Sequence, residues 1–269
     1  MMGVEPLKEG LYGFDVRPIS RQKDQSVCKT TAYILRENVR DEYQGKTHYY
    51  ARGKDLLFSE ILLPETAPKR FYDLSILLTE IDRAEKRYDA RTGRVVRLSL
   101  PNRRELSIED LIQLAKEFIK EVFLSMGMCA VLAIHEGKHE DPQKNNPHAH
   151  ILLTDRPVGP DGFCTKKDRT WNQVSQLNQW RQLWAEKQNQ LFRDRHLDIQ
   201  VSHESLEVQG IQREPTLPLG RAAAALERKG IQTERGNRNR EIEARAEAQR
   251  EAAILHKQKM RERRRGRGR

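Results

Sequence analysis

The stretch "NNPHAHILLTDRP", residues 145–157, sets two histidines one residue apart at the head of an apolar run. Side chains alternate across a strand, so His148 and His150 share one face and Ala149 takes the other. Two imidazoles so placed lie roughly 6–7 Å apart at the backbone and can converge on one cation. A polar stripe along a strand edge is the plainer reading of the same spacing. A second apolar segment, "CAVLAIH" (129–135), comes shortly before. The connection "EGKHEDPQKNNP" is rich in turn formers and too short for a crossover helix, so the two segments should be antiparallel neighbours. The end of the first then meets the start of the second, and His135 lands beside His148 and His150. Three imidazoles without a thiolate leave open positions, the pattern of a catalytic metal site rather than a structural one. His139, in the connection, reads as solvent-exposed. His48, His196, His203 and His256 have no companion spacing and read as surface or partly buried residues.

Three further segments read as strands. "YGFDVRPI" (12–19) alternates, "DLLFSEILLP" (55–64) is a short apolar run closed by proline, and "RVVRLSLP" (94–101) is β-branched and stops at proline. Helical patterns lie between them. Ser26 is placed to cap "SVCKTTAYILREN", and Phe71, Leu74, Leu77, Leu78 and Ile81 recur at helical spacing within 68–87. Ser107 opens "SIEDLIQLAKEFIKEVF" with Asp110 at the capping-box position, where Glu or Gln is commoner. Trp171, Val174, Leu177, Trp180, Leu183 and Trp184 mark another helix, and the tryptophans read as core rather than as base-stacking platforms. Strands mixed with helices, one strand pair being close in sequence, indicate an α+β domain with a largely antiparallel sheet.

After about residue 200 the apolar periodicity stops, and the chain ends in "EIEARAEAQREAAILHKQKMRERRRGRGR". Six arginines in its last ten residues suit either a solvated end or sequence-independent phosphate contact. A formal net charge of +10 favours a polyanion, and nucleic acid is the commonest. No apolar run approaches the roughly 20 residues that span a bilayer, and the start has no apolar leader. Cys28, Cys129 and Cys164 are scattered and lack CxxC spacing, which argues for a reducing compartment and against a zinc-thiolate site. The expected location is cytoplasmic.

A histidine upstream of "NPHAHILLTDRP" resembles the MobA/MobL family of conjugative relaxases, within the HUH endonucleases. So do "SEILLPETAPKRF" (59–71), "AEKRYDA" (84–90), "GMCAVLAIH" (127–135) and "QGIQREPTLPLGRAAAALERKGIQTERG" (209–236). The likeness runs from about residue 12 to 242. It implies a five-stranded antiparallel sheet flanked by helices, followed here by a basic helical tail. It divides the chain into a catalytic domain (1–200), an extension that lines the DNA path (201–240) and a charged helix with an Arg-rich end (241–269).

The resemblance also implies a chemistry: nicking and rejoining of single-stranded DNA at the transfer origin of a plasmid or mobile element. His135, His148 and His150 would hold a divalent cation, Mn²⁺ or Mg²⁺ first and Zn²⁺ as an alternative. The family's nucleophile is a tyrosine in the first helix after an "SR" pair. That pattern selects Tyr33, after Ser20 and Arg21, from seven tyrosines that composition does not distinguish. Arg21, Arg36 and Arg156, with Ser20, are the expected DNA contacts. Relaxosome accessory proteins and a coupling protein are the implied partners, with no membrane insertion. Two departures stand out: Val95 and Arg97 occupy positions where glutamates are expected, and the loop before the histidine pair is longer than usual. Glu60 and Glu85 are the substitute candidates for an acidic role. Two rival functions remain, a phosphodiesterase in which water attacks and an HUH-like module that only binds single-stranded DNA.

Overall fold

The computed structural model describes residues 8–9, 12–51, 53–102, 104, 106–137, 145–209 and 214–266. Met1–His203 and Glu204–Arg269 are two compact units. The first is built on a five-stranded sheet of β1 (Phe14–Ser20), β2 (Leu56–Leu62), β3 (Arg91–Ser99), β4 (Ala130–His135) and β5 (His148–Thr154). The spatial order is β1-β3-β5-β4-β2, and every neighbouring pair is antiparallel. The strands fall on the five predicted segments, so the α+β class and the antiparallel sheet stand as expected. His139 lies outside the described residues.

Alternation along the strands sorts the side chains into two layers. Val96 and Leu98 of β3, Leu132 and Ile134 of β4, and Ala149, Ile151 and Leu153 of β5 pack with α3 (Ile108–Phe118) and α4 (Val174–Asp194). Trp171, Trp180 and Trp184 are buried in this layer, as core residues. Val131 and Ala133 of β4 and Leu152 of β5 pack instead with α1 (Val27–Leu35) and α2 (Leu74–Ala84). With both faces covered, β4 is buried at every residue. Each fully buried Leu, Ile or Phe contributes roughly 1.5–3 kcal/mol, so the two layers hold the sheet rigid between them.

Helix starts follow their capping residues. Ser26 accepts from the Lys29 amide at the head of α1. Ser107 and Asp110 close both hydrogen bonds of a capping box at the head of α3, the short carboxylate serving where a longer one is usual. The helical pattern expected over 68–87 divides in two. Lys69–Tyr72 is a 3-10 turn, and Asp73 caps α2 afresh by accepting from the Ile76 amide. Trp171 likewise sits in a 3-10 turn, Arg169–Asn172, ahead of α4. In the first place an aspartate restarts the helix; in the second Asp168 caps the 3-10 turn by accepting from the Thr170 amide, and α4 begins after Gln173 without a side-chain cap.

The second unit carries α5 (Gly220–Glu227) and α6 (Glu234–Gly266). The Glu227 carboxylate accepts from the Thr233 amide and hydroxyl and from Arg240, and these bonds hold its pKa at about 2. Glu214 pairs with Arg238 and Arg245. The predicted charged tail is thus helical as far as Gly266. Among the described residues, no helix is long and apolar enough to cross a membrane.

Candidate metal centre and active site

In the β4–β5 ladder His135 stands directly opposite His148, and His150 lies two residues further along the same face, opposite Ala133. The three imidazole centroids are 4.9–5.5 Å apart. One ring nitrogen of each lies within 4.8 Å of the others. The hairpin read from "CAVLAIH" and "HAHILLTD" therefore brings the three histidines together where two interior strands of the sheet meet end to start.

Hydrogen bonds settle which nitrogens are free. His135 Nε2 is 2.7 Å from the Ile34 carbonyl oxygen. A carbonyl only accepts, so Nε2 carries the proton and Nδ1 keeps its lone pair. His148 Nδ1 donates in the same way to the Asn146 carbonyl at 3.0 Å, leaving Nε2 as the lone pair. Metal-binding histidines commonly anchor the outer N–H like this, which fixes both ring orientation and tautomer. Burial lowers the pKa of all three rings, and that of His150 falls to about 3 with further help from its two neighbours, Arg97 and Arg36. The triad is a set of neutral imidazoles at neutral pH, the protonation state a metal ligand needs.

Tyr33 reaches the triad from α1. Its ring centroid is 6.2 Å from that of His150, edge to face, and 5.8 Å from that of Tyr50. The helix buries Val27, Cys28, Thr31, Ala32, Ile34 and Leu35 and leaves Tyr33 46% exposed, open to a ligand from solvent. Because Ile34 fixes His135, the residue after the tyrosine ties the helix to the triad.

Of the basic residues expected at the site, the structure brings Arg36 to the triad. Its Nη2 lies 3.3 Å from His135 Nδ1, and its Nε and Nη2 form a fork onto the Asp55 carboxylate at 2.8 and 2.9 Å. That fork holds the Asp55 carboxyl down at about pKa 2. Arg21 instead ion-pairs with Asp82 and donates to carbonyl oxygens of Asp82, Glu85 and Arg87. Arg156 ion-pairs with Glu85 and donates to the Cys164 and Thr165 carbonyls. Ser20 is buried, and its amide donates to the Gln25 side chain.

The acidic candidates are corrected by their positions. Glu60 stands opposite Leu132 in the ladder, on the face of the sheet away from the triad, and pairs with Lys116 at 2.7 Å. Alternation puts it there and the sequence alone lacks the register to say so. Glu85 is buried and held by Arg156 and Lys167. Arg97 pairs in register with His150 and is exposed, with no ion pair among the described residues, while Val95 is half-buried against the α1–α2 layer. Asp55 escaped sequence reasoning: it is 19 residues from Arg36, with no spacing that links them.

One other expectation about histidine needs adjusting. His48 is buried and lies 3.3 Å from Asp41, through the short hairpin Val39–Asp41/Lys46–His48. A second cluster of donors, Cys28, Asp41 and Asp82, also has ligand atoms within 4.8 Å of one another.

Residues 25–229 match the model of the MobA/MobL family. The chain is similar to a probable mobilization protein MobA of Bifidobacterium longum (strain NCC 2705), 30% identical over 274 residues, 86% of this chain and 47% of that protein. It is similar to a conjugal transfer protein TraA of Agrobacterium fabrum, 30% identical across 81% of this chain and 22% of that one. A mobilization protein MobL of Acidithiobacillus ferridurans is 29% identical, over 81% of this chain and 64% of that protein. The chain spans less than two thirds of the length of each of these relatives. Among solved structures it is similar to one described as "Molecular Basis of Vancomycin Resistance Transfer in Staphylococcus aureus". The TM-score is 0.65 and the identity 28%, covering 72% of this chain and 99% of that chain.

Proposed function

This chain belongs to the MobA/MobL family, and from that membership and the geometry of the triad we propose that it nicks and rejoins single-stranded DNA at a transfer origin. The observation that carries the reading is the approach of the exposed Tyr33 ring to within 6.2 Å of His150, beside three neutral imidazoles. His135, His148 and His150 are assigned as the metal ligands and Tyr33 as the nucleophile. Imidazole donors suit Mn²⁺ or Zn²⁺ better than the harder Mg²⁺, which prefers oxygen. A divalent cation held there would neutralise charge on a scissile phosphate.

The residues then divide the work. Free phenols titrate near 10, so a tyrosine nucleophile needs an electropositive setting. Arg36, whose guanidinium carbon lies 4.6 Å from the Tyr33 ring centroid, places positive charge there. The Tyr33 oxygen bonds to phosphorus as the bond to the 3′-oxygen breaks; the phenolic proton passes to solvent water, and the 3′-oxygen takes a proton from water to leave as a hydroxyl. The product is a 5′-phosphotyrosine, whose ester energy allows the same residues to reseal the strand. Arg156 lines an open groove of about 1430 Å³ with Lys166, Lys167 and Arg169, and we assign that groove, with Arg21 and Ser20, to the nucleic-acid backbone. Residues 1–200 are read as the catalytic domain, 201–240 as an extension along the DNA, and 241–269 as a basic tail that adds phosphate contacts. Affinity should fall with salt by a slope of about −0.7 per phosphate on a single strand.

The test incubates the protein with Mn²⁺ and labelled single-stranded oligonucleotides tiled from its own element, followed by a denaturing gel. Label should stay on the polypeptide, and Tyr33→Phe should remove it. Water-driven hydrolysis predicts cleavage without an adduct. A second reading, a binding module without catalysis, is favoured by Arg97 standing beside His150 where an acidic residue is expected. It predicts salt-sensitive binding that survives replacement of all three histidines, with no cleavage.

A further inference from the structure

Arg36 is the most heavily determined side chain at the site. It is the C-cap of α1 with φ of +57°, a left-handed conformation that suits glycine and is uncommon for a residue with a β-carbon. Its aliphatic stem crosses Gly53 so closely that a β-carbon there would stand 2.3 Å from Arg36 Cδ and 2.5 Å from Nε. Asp55 grips Nε and Nη2, Nη1 donates to the Tyr33 carbonyl, and the guanidinium carbon lies 4.6 Å from the Tyr33 ring centroid. All of this aims Nη2 at His135 Nδ1, 3.3 Å away. Strained backbone and a bare glycine shelf kept together for one contact point to function rather than to packing.

That contact falls on the lone pair a cation needs. His135 Nε2 is committed to the Ile34 carbonyl, so Nδ1 is the ring's one acceptor. A metal ion binds an imidazole nitrogen at about 2.0–2.1 Å, along the direction from which Nη2 now donates. We propose that the Arg36 guanidinium is a built-in competitor for the metal position, so that a divalent cation gains His135 only by turning Arg36 aside. Two effects act together. The guanidinium opposes the ion by charge and by place, and it also occupies Asp55, a carboxylate 3.9 Å from His135 Nδ1. Once turned aside it offers free N–H donors beside Tyr33, where a phosphate oxygen can take them. Metal uptake in this chain is therefore held weaker than three convergent imidazoles would give.

The inference rests on the assignment of the triad as the metal site, and the experiment separates the two. Mn²⁺ and Zn²⁺ binding to the full chain is measured by titration calorimetry without DNA, in wild type, Arg36→Met, Gly53→Ala and His148→Ala. Thermal melts run alongside. Arg36→Met should bind the ion about tenfold or more tighter than wild type. Gly53→Ala keeps the charge but pushes the stem off its shelf, and should tighten binding by a smaller factor. Should Arg36→Met lose its fold, Gly53→Ala carries the test alone. Unchanged or weaker binding in the folded variants, with His148→Ala impaired, overturns the competitor and leaves the triad standing. Wild type and His148→Ala binding alike would overturn both.

Discussion

Among the described residues, two clusters bring three ligand atoms within 4.8 Å of one another, and they differ in the partners that their donor atoms already have. Among His135, His148 and His150 the outward nitrogens of two rings are anchored on backbone carbonyls, and neutral lone pairs converge inward. Around Cys28, Asp41 and Asp82 the donors are already matched. Asp82 is ion-paired with Arg21 at 3.0 Å. Asp41 accepts from Ser26 Oγ, from the Gln44 amide at 2.8 Å and faces His48 at 3.3 Å. Burial first, then the two carboxylates, push the Cys28 thiol up to about 12, so it is not the thiolate a metal binds. Proximity of donor atoms does not make a metal site; neutral lone pairs that face one another do, even with Arg36 competing for that of His135. The second cluster is a buttress that fixes the start of α1, and so aims Tyr33.

That contrast is most sharply tested by the histidines. Beyond the loss of adduct in Tyr33→Phe, His148→Ala should weaken Mn²⁺ or Zn²⁺ binding by about a hundredfold or more, since it removes a ligand outright. Chelation should stop oligonucleotide cleavage and Mn²⁺ should restore it. Cys28→Ala measured in the same titration should leave the affinity where it was; a drop to match His148→Ala would make the second cluster a metal site after all.

In the buttress the expected loss is stability. Asp41→Ala removes the acceptor of three groups in a buried place and leaves the Ser26 hydroxyl proton and His48 Nε2 without that acceptor. Breaking such a network costs about 2–4 kcal/mol, read as a shift in urea midpoint at constant slope. The metal titration of the folded fraction should not change.

Acid should act on the triad. The folded chain holds the pKa of His135 and His148 below 6.5 and that of His150 at about 3, chiefly by burial. Above about pH 6.5 these rings are neutral whether the chain is folded or not. As the pH falls below that value the unfolded chain takes up protons that the folded one refuses, so stability declines through the window from about 6.5 toward 3. Metal-free protein should therefore have a lower denaturant midpoint at pH 5 than at pH 7, and His150→Gln should narrow the gap. An equal gap in the variant would put the acid sensitivity elsewhere.

Much of this architecture was legible in the sequence because strand alternation and turn chemistry are local. The two apolar segments around "EGKHEDPQKNNP" allow one pairing, and that pairing alone puts His135 opposite His148. Tyr33 was legible through family likeness, since nothing local distinguishes it from six other tyrosines. What escaped was set by contacts distant in the chain. The acidic partners of the arginines expected at the DNA are of this kind: Asp55 for Arg36, Asp82 for Arg21 and Glu85 for Arg156. Opposite charges near a site find each other when the chain folds, and no spacing rule announces which will pair.

Glu60 is the smallest of the expected effects and the one that isolates register. A strand read from sequence gives which residues share a face, but not which of the two faces is the site's. On β2 the answer depends on pairing with β4, complicated by a bulge between Leu56 and Phe58 that shifts the parity of the first residue. With Glu60 opposite Leu132, its carboxylate belongs to the α3 side, where Lys116 meets it with both side chains about a third exposed. An ion pair so placed is screened and is worth about 0–1 kcal/mol. Glu60→Gln should therefore move the urea midpoint barely beyond error and leave nicking and metal affinity unchanged. A large loss of adduct in that variant, with stability intact, would require the strand to pair one residue out of register and bring the carboxylate through to the histidine face.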